Sequence, residues 1–140
     1  MEAVFNEVYT KFRINLYKKL FGHLNQRTSS LTAVETFCIE AIHAMGRPTI
    51  RQFADFVEIS QANAAYKVAK LISKGYLRKV HSAQDRREYH LEVTEKYMKR
   101  YGARYEYVAQ VMRRIRERFT PEEVDQLEWM LRVIGQELMP

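Results

Sequence analysis

The hydrophobic period of this sequence turns from helical to alternating at Gly75, and no other feature limits the available folds as much. From Ser60 to Lys74 the apolar residues Ala64, Val68, Leu71 and Ile72 recur at helical spacing along one side. In Glu88-Tyr-His-Leu-Glu-Val93 the period is two, so Tyr89, Leu91 and Val93 share a face opposite Glu88, His90 and Glu92. Leu77 to His81 can pair with that strand across the polar tip Ser82-Ala-Gln-Asp-Arg-Arg87. A helix leading directly into a basic hairpin leaves few architectures open.

Helix starts are legible from capping chemistry, in which a side-chain oxygen accepts from an unpaired N–H and a Glu or Gln three residues on reaches back. Thr32-Ala-Val-Glu35, Thr49-Ile-Arg-Gln52 and Thr120-Pro-Glu-Glu123 fit this pattern, the last with Pro121 at N1 and a Phe119 to Val124 staple, and Ser60 is a fourth cap. Gly46 and Gly75 stand where left-handed C-terminal caps are expected, closing helices over 32–45 and 60–74. Val34, Phe37, Cys38, Ala41, Ile42 and Met45 predict one continuous core stripe on the first, and Ile50, Phe53, Ala54 and Val57 repeat the pattern over a short helix. Two short helices, a tight turn and a hairpin spell a winged helix-turn-helix.

Both ends carry more apolar helical surface than a small winged helix needs. Val4, Val8, Phe12, Leu16, Leu20 and Leu24 run at i+4 spacing with Phe5, Tyr9, Tyr17 and Phe21 beside them. Residues 94–118 read as one long basic helix with Val108, Val111, Met112 and Ile115 toward its end, and the last helix offers Val124, Leu127, Met130, Leu131, Ile134 and Leu138. A two-fold dimer through these helices would bury the excess. The expected fold is therefore mainly α with a small β-hairpin wing, one domain over 1–140. Its winged helix-turn-helix at 31–94 is flanked by helical dimerisation regions at 1–30 and 95–140.

Charge is spread unevenly. The chain carries a formal +6, yet residues 60–90 alone hold +5 and residues 94–119 another +5, while 120–140 carry −4. A middle third this basic inside a balanced chain points to a polyanion, double-stranded DNA first. One Cys in 140 residues excludes an internal disulfide framework and a multi-Cys zinc finger. The opening residues mix charges into the apolar positions and the chain has no 18-residue apolar run, so a cytoplasmic protein without a membrane partner is expected.

Counting 100° per residue from Ser60, the side opposite the apolar stripe is Ala62, Asn63, Tyr66, Lys70 and Ser73, a candidate reading face. An amide such as Asn63 can pair bidentately with adenine, and a small Ala62 lets the helix approach the groove floor. Ser60 and Gln61 at the helix start suit a phosphate, as do Lys67, Lys70, Lys74, Arg78 and Lys79. At the hairpin tip an arginine suits a narrow minor groove, with Asp85 spaced to fix the rotamer of Arg87 and Arg86 beside them. A solvated turn is the plain alternative for that tip.

Leu31-Thr32-x-x-Glu35, Gly46-x-x-Thr49, Ile59-Ser60, Leu71-Ile-Ser-Lys-Gly75-Tyr-Leu77, Asp85-Arg-Arg87 and Leu91-x-Val93-Thr94 together resemble the MarR family of bacterial winged-helix transcription regulators. The resemblance covers nearly the whole chain and is densest over 31–94. It implies a homodimer built on the first and last two helices that binds a pseudo-palindromic operator, probing successive major grooves. It assigns Asp85 and Arg87 to the wing pair, Arg87 in the minor groove. Many relatives carry Thr-Val-Thr-Arg where this chain has Asn63-Ala-Ala-Tyr66, so base preference does not transfer. Members respond to small molecules, metals or oxidants, which implies release by a signal, with a repressor the expected role.

Other chemistry is thinly represented. Cys38 falls on the core stripe, which favours a buried, inert thiol over a redox sensor. His23, His43, His81 and His90 lack an i, i+4 His partner, so no metal or other cofactor is expected. Phe12, Tyr17, Phe37, Tyr101, Tyr105 and Trp129 could line an effector pocket or simply be aromatic core. No nucleophile elbow, Gly-rich phosphate loop or carboxylate pair argues for an enzyme. Two other classes stay open: a winged helix used for protein contacts, and a small-molecule-binding protein with little affinity for DNA.

Overall fold

The structure, a computed structural model, describes residues 1–25, 30–83 and 87–139, apart from the side chains of His23 and residues 103–105. Among the described residues the order is α1 (Glu2–Leu24), α2 (Ala33–Ala44), α3 (Ile50–Phe56), α4 (Gln61–Ser73), β1 (Leu77–His81), β2 (Tyr89–Val93), α5 (Glu95–Tyr101), α6 (Ala103–Arg118) and α7 (Pro121–Val133). A single π-helical turn, Ile134–Leu138, follows. The chain divides into two compact units, Met1–Ala103 and Arg104–Pro140.

The caps form as the sequence predicts. Thr32, Thr49 and Thr120 each close a complete box, with Glu35, Gln52 and Glu123 as the returning side chains. Ser60 Oγ accepts from Asn63 N–H at 3.2 Å. Gly46 and Gly75 take φ of +68° and +79°, the left-handed conformation that glycine adopts without a Cβ penalty.

In the first unit one core joins all the winged-helix elements. Ile39 and Ile42 of α2, Phe53 and Ala54 of α3, and Ala64, Val68 and Leu71 of α4 are buried with Leu77 of β1, Leu91 of β2 and Tyr97 and Tyr101 of α5. The strands pair antiparallel from Leu77↔Val93 to His81↔Tyr89, and β2 begins at Tyr89 rather than Glu88. Leu91 N–H donates to Pro48 O at 2.8 Å, which ties the hairpin to the segment before α3. Of the predicted strand face, Leu91 is buried while Tyr89 lies exposed toward the tip, its ring 4.3 Å from that of His81.

Two expectations need correction. The α2 stripe is rotated: Thr36, Cys38, Ile39 and Ile42 are buried, whereas Val34 and Phe37 are 57% and 62% exposed. This helix is apolar on two sides, so periodicity alone allows either to face the core. The long helix over 94–118 is instead two, α5 capped by Thr94 and α6 beginning after Gly102. Gly102 N–H donates to Met98 O at 2.7 Å, and a Cβ at 102 would lie 2.1 Å from that oxygen, so this tight helix end takes only glycine.

The apolar stripe of α1 is largely uncovered. Val4, Phe5, Val8, Tyr9, Tyr17 and Phe21 are exposed and only Leu20 is buried. In the second unit no residue of α7 is buried, and Trp129, Met130, Leu131 and Leu138 are exposed.

Candidate nucleic-acid interface

The third helix of the core, α4, turns its apolar side inward and so presents Gln61, Ala62, Asn63, Tyr66, Lys70 and Ser73 to solvent. Every member of the sequence-derived reading face is exposed. The Ser60 cap fixes the helix start, and the Gln61 and Ala62 amides precede the first intrahelical hydrogen bond, a ready anion site in a helix of 13 residues. Lys70 Nζ lies 4.6 Å from the centre of the Tyr66 ring, so these two side chains form one cationic, aromatic unit. A hydrogen bond to the Tyr66 hydroxyl raises the Lys70 pKa above its ordinary value. Lys67 is half-buried on the flank.

On the hairpin, Lys79 and Arg87 are exposed, Arg87 at the turn before β2. Asp85 and Arg86 lie outside the described residues, so the Asp85–Arg87 pair is a matter of sequence alone. Arg78 is cross-strand from Glu92 and donates to its Oε2 from Nε at 3.0 Å and Nη2 at 2.9 Å. Lys74 is the residue whose placement departs most from a phosphate contact. Its ammonium donates to Glu35 Oε2 at 2.7 Å and to Ser30 O at 2.6 Å, within the fold.

The aromatic cluster separates into different places. Tyr17 and Phe37 line one apolar cleft of about 400 Å³ with Leu20, Phe21, Leu24 and Ala33. Tyr101 is instead core, its ring 5.6 Å from Tyr76 and 5.3 Å from Tyr97. Phe12 is half-buried on α1, Trp129 belongs to the second unit, and the Tyr105 side chain is outside the described residues. The neighbours Leu20, Phe21 and Leu24 were visible as α1 stripe residues, but nothing local pairs them with Ala33 and Phe37.

Cys38 is 9% exposed, and burial raises its thiol pKa despite the attraction of Lys67. It should react with a thiol-specific disulfide reagent far more slowly in the native protein than in denaturant, as absorbance of the released thiolate would show. Equal rates in both states would contradict the burial. Among the described residues no group of three or more His, Cys, Asp or Glu is arranged to hold a metal ion, and no helix is long and apolar enough to cross a membrane.

A capped helix-turn-helix whose exposed third helix adjoins a cationic hairpin is a winged helix, here set between further helices. The sequence resemblance holds: residues 31–89 match the MarR family model. No curated protein matches by sequence. Among solved structures, FabT of Streptococcus pneumoniae, in a complex with DNA, aligns with a TM-score of 0.55 and 22% identity over 99% of this chain and 97% of that one. A point mutant of MepR from a multidrug-resistant S. aureus clinical isolate gives 0.62 and 15% identity over 99% and 96%. A cysteine-to-serine mutant of MarR from E. coli, complexed with operator DNA, gives 0.51 and 17% over 95% and 91%.

Proposed function

We propose that this protein is a DNA-binding transcription regulator rather than an enzyme, acting in the cytoplasm as a homodimeric repressor on a pseudo-palindromic operator. The observation that carries the reading is the polar, fully exposed face of α4 beside exposed Lys79 and Arg87. Asn63 and Tyr66 read base edges, Ala62 permits close approach, and Arg87 enters the minor groove with Asp85 and Arg86 at the tip. Ser60 and Gln61 at the helix start, with Lys67, Lys70, Arg78 and Lys79, hold phosphates. The structures of FabT with DNA and of MarR with operator DNA support the same use of this fold. Dimerisation covers the apolar faces of α1 and α7. The cleft at Tyr17 and Phe37 supports a small apolar effector as the releasing signal.

Selection of bound duplexes from a random pool tests the reading directly. An inverted repeat with half-sites about one helical turn apart is the expected product. Replacing Arg87 with Ala should then weaken binding to that repeat by about 1–3 kcal/mol in a fluorescence anisotropy titration while leaving the circular dichroism spectrum unchanged. Wild-type affinity in the variant would remove the wing from the interface, and a sequence-blind pool would remove the operator.

A further inference from the structure

The C-terminal end of α4 is restrained from two sides. On one, Lys74 Nζ is held by Glu35 Oε2 and Ser30 O, and the same Glu35 oxygen accepts Thr32 N–H at 2.8 Å. That carboxylate is therefore fixed to the first turn of α2 and cannot swing away with the lysine. Ser30 Oγ also shares a hydrogen bond with the Tyr76 hydroxyl, just beyond the helix. On the other side, Lys96 Nζ donates to Lys74 O at 2.8 Å and lies 4.8 Å from the centre of the Tyr76 ring. Thr94 donates twice, from Oγ1 to Gly75 O at 2.6 Å and from N–H to Tyr76 O at 3.0 Å.

Lys74 stands 11 residues beyond Asn63, a lever of about 16 Å along the helix axis. A small rotation at the clamped end moves the reading residues at the other by a comparable angle. A lysine whose ammonium is spent on a carboxylate and a carbonyl makes a poor phosphate ligand, since reaching DNA would break both bonds and leave the partly buried Glu35 carboxylate without its counter-ion.

We infer that Lys74 is a positioning residue, whose bonds to Glu35 and Ser30 set the angle at which α4 presents Asn63, Tyr66 and Lys70 to DNA. This rests on the regulator reading above and assigns to Lys74 a role other than the phosphate contact suggested by sequence. It also makes Glu35, a capping residue on a different helix, part of the determinants of DNA affinity.

Lys74→Met and Glu35→Gln, singly and together, test it against the tightest duplex recovered from the random pool. Glutamine keeps an oxygen for Thr32 N–H and removes the charge, so α2 stays capped. Each single variant should lose about tenfold in affinity with the salt slope of the wild type, and the double variant should lose no more than the worse single. Lys74→Arg should recover most of the loss. Backbone amides over 71–76 should exchange faster with solvent in Lys74→Met and Glu35→Gln, with no DNA present.

A slope shallower by about 1.8, about 0.9 for each protomer, in Lys74→Met, with Glu35→Gln at wild-type affinity, would make Lys74 a phosphate contact and overturn the inference. Unchanged amide exchange in both variants would overturn it as well. Failure of the regulator reading is distinguishable, because there the wild type itself binds no duplex.

Discussion

Raising monovalent salt from about 50 to about 200 mM should weaken binding of the selected duplex by roughly 10³ to 10⁵. Lys67, Lys70, Arg78 and Lys79 are the proposed phosphate contacts of each reading head, and the α4 amides add a further anion site. Two reading heads bring about eight such cations to the phosphates, and each contact displaces condensed counterions into solution, a gain that vanishes as bulk salt rises. The effect is measured as the slope of log affinity against log salt, and about −7 is the expected value for eight contacts. Lys74 lies outside that count because of its partners Glu35 and Ser30. A slope near zero with an intact fold would mean that the basic face serves another partner, an acidic protein being the chemical alternative, and the homodimeric operator reading would fall.

Phe53→Ala should destabilise the protein by about 3–5 kcal/mol, the other large effect. Phe53 is 0% exposed in α3, in the same cluster as Ala54, Ala64 and Leu71, so truncation leaves a cavity between the two helices of the helix-turn-helix. Against a total stability of about 5–15 kcal/mol for an ordinary domain, the change removes much of the margin. Urea titration should show a lower midpoint at unchanged slope, and duplex binding at elevated temperature should be lost with the fold. Phe56, on the same helix but 62% exposed, supplies the control: Phe56→Ala should change stability by no more than about 0.5 kcal/mol. Equal losses in the two variants would contradict the packing of α3.

Much of the interface was legible because its signals are local. A capping box closes within four residues, a left-handed glycine acts on the turn before it, and a period of 3.6 or 2 shows in one stretch of chain. Thr32, Thr49, Ser60 and Thr120 were located this way, as were the α4 reading face and the hairpin. Even the break at Gly102 had a local mark in the glycine itself, obscured by the continuous basic run around it.

What escaped the sequence depends on distant partners. Val34 and Phe37 satisfy the helical period as well as Ile39 and Ile42 do, and only the packing of α3, α4 and the hairpin decides which side of α2 is covered. Tyr17 and Phe37 meet in one cleft while Tyr101 joins Tyr76 and Tyr97, a sorting that aromatic composition does not contain. Lys74 reads as one more cation in a basic stretch until folding brings Glu35, 39 residues away, and Ser30, 44 residues away, against its ammonium. By itself the sequence determined where α2, α3, α4 and α7 begin and which face of α4 is polar, because those energies are settled within a turn or two. Only the tertiary structure decided which cations remain unpaired with a carboxylate such as Glu35, because a charge is neutralised by whatever the fold places beside it.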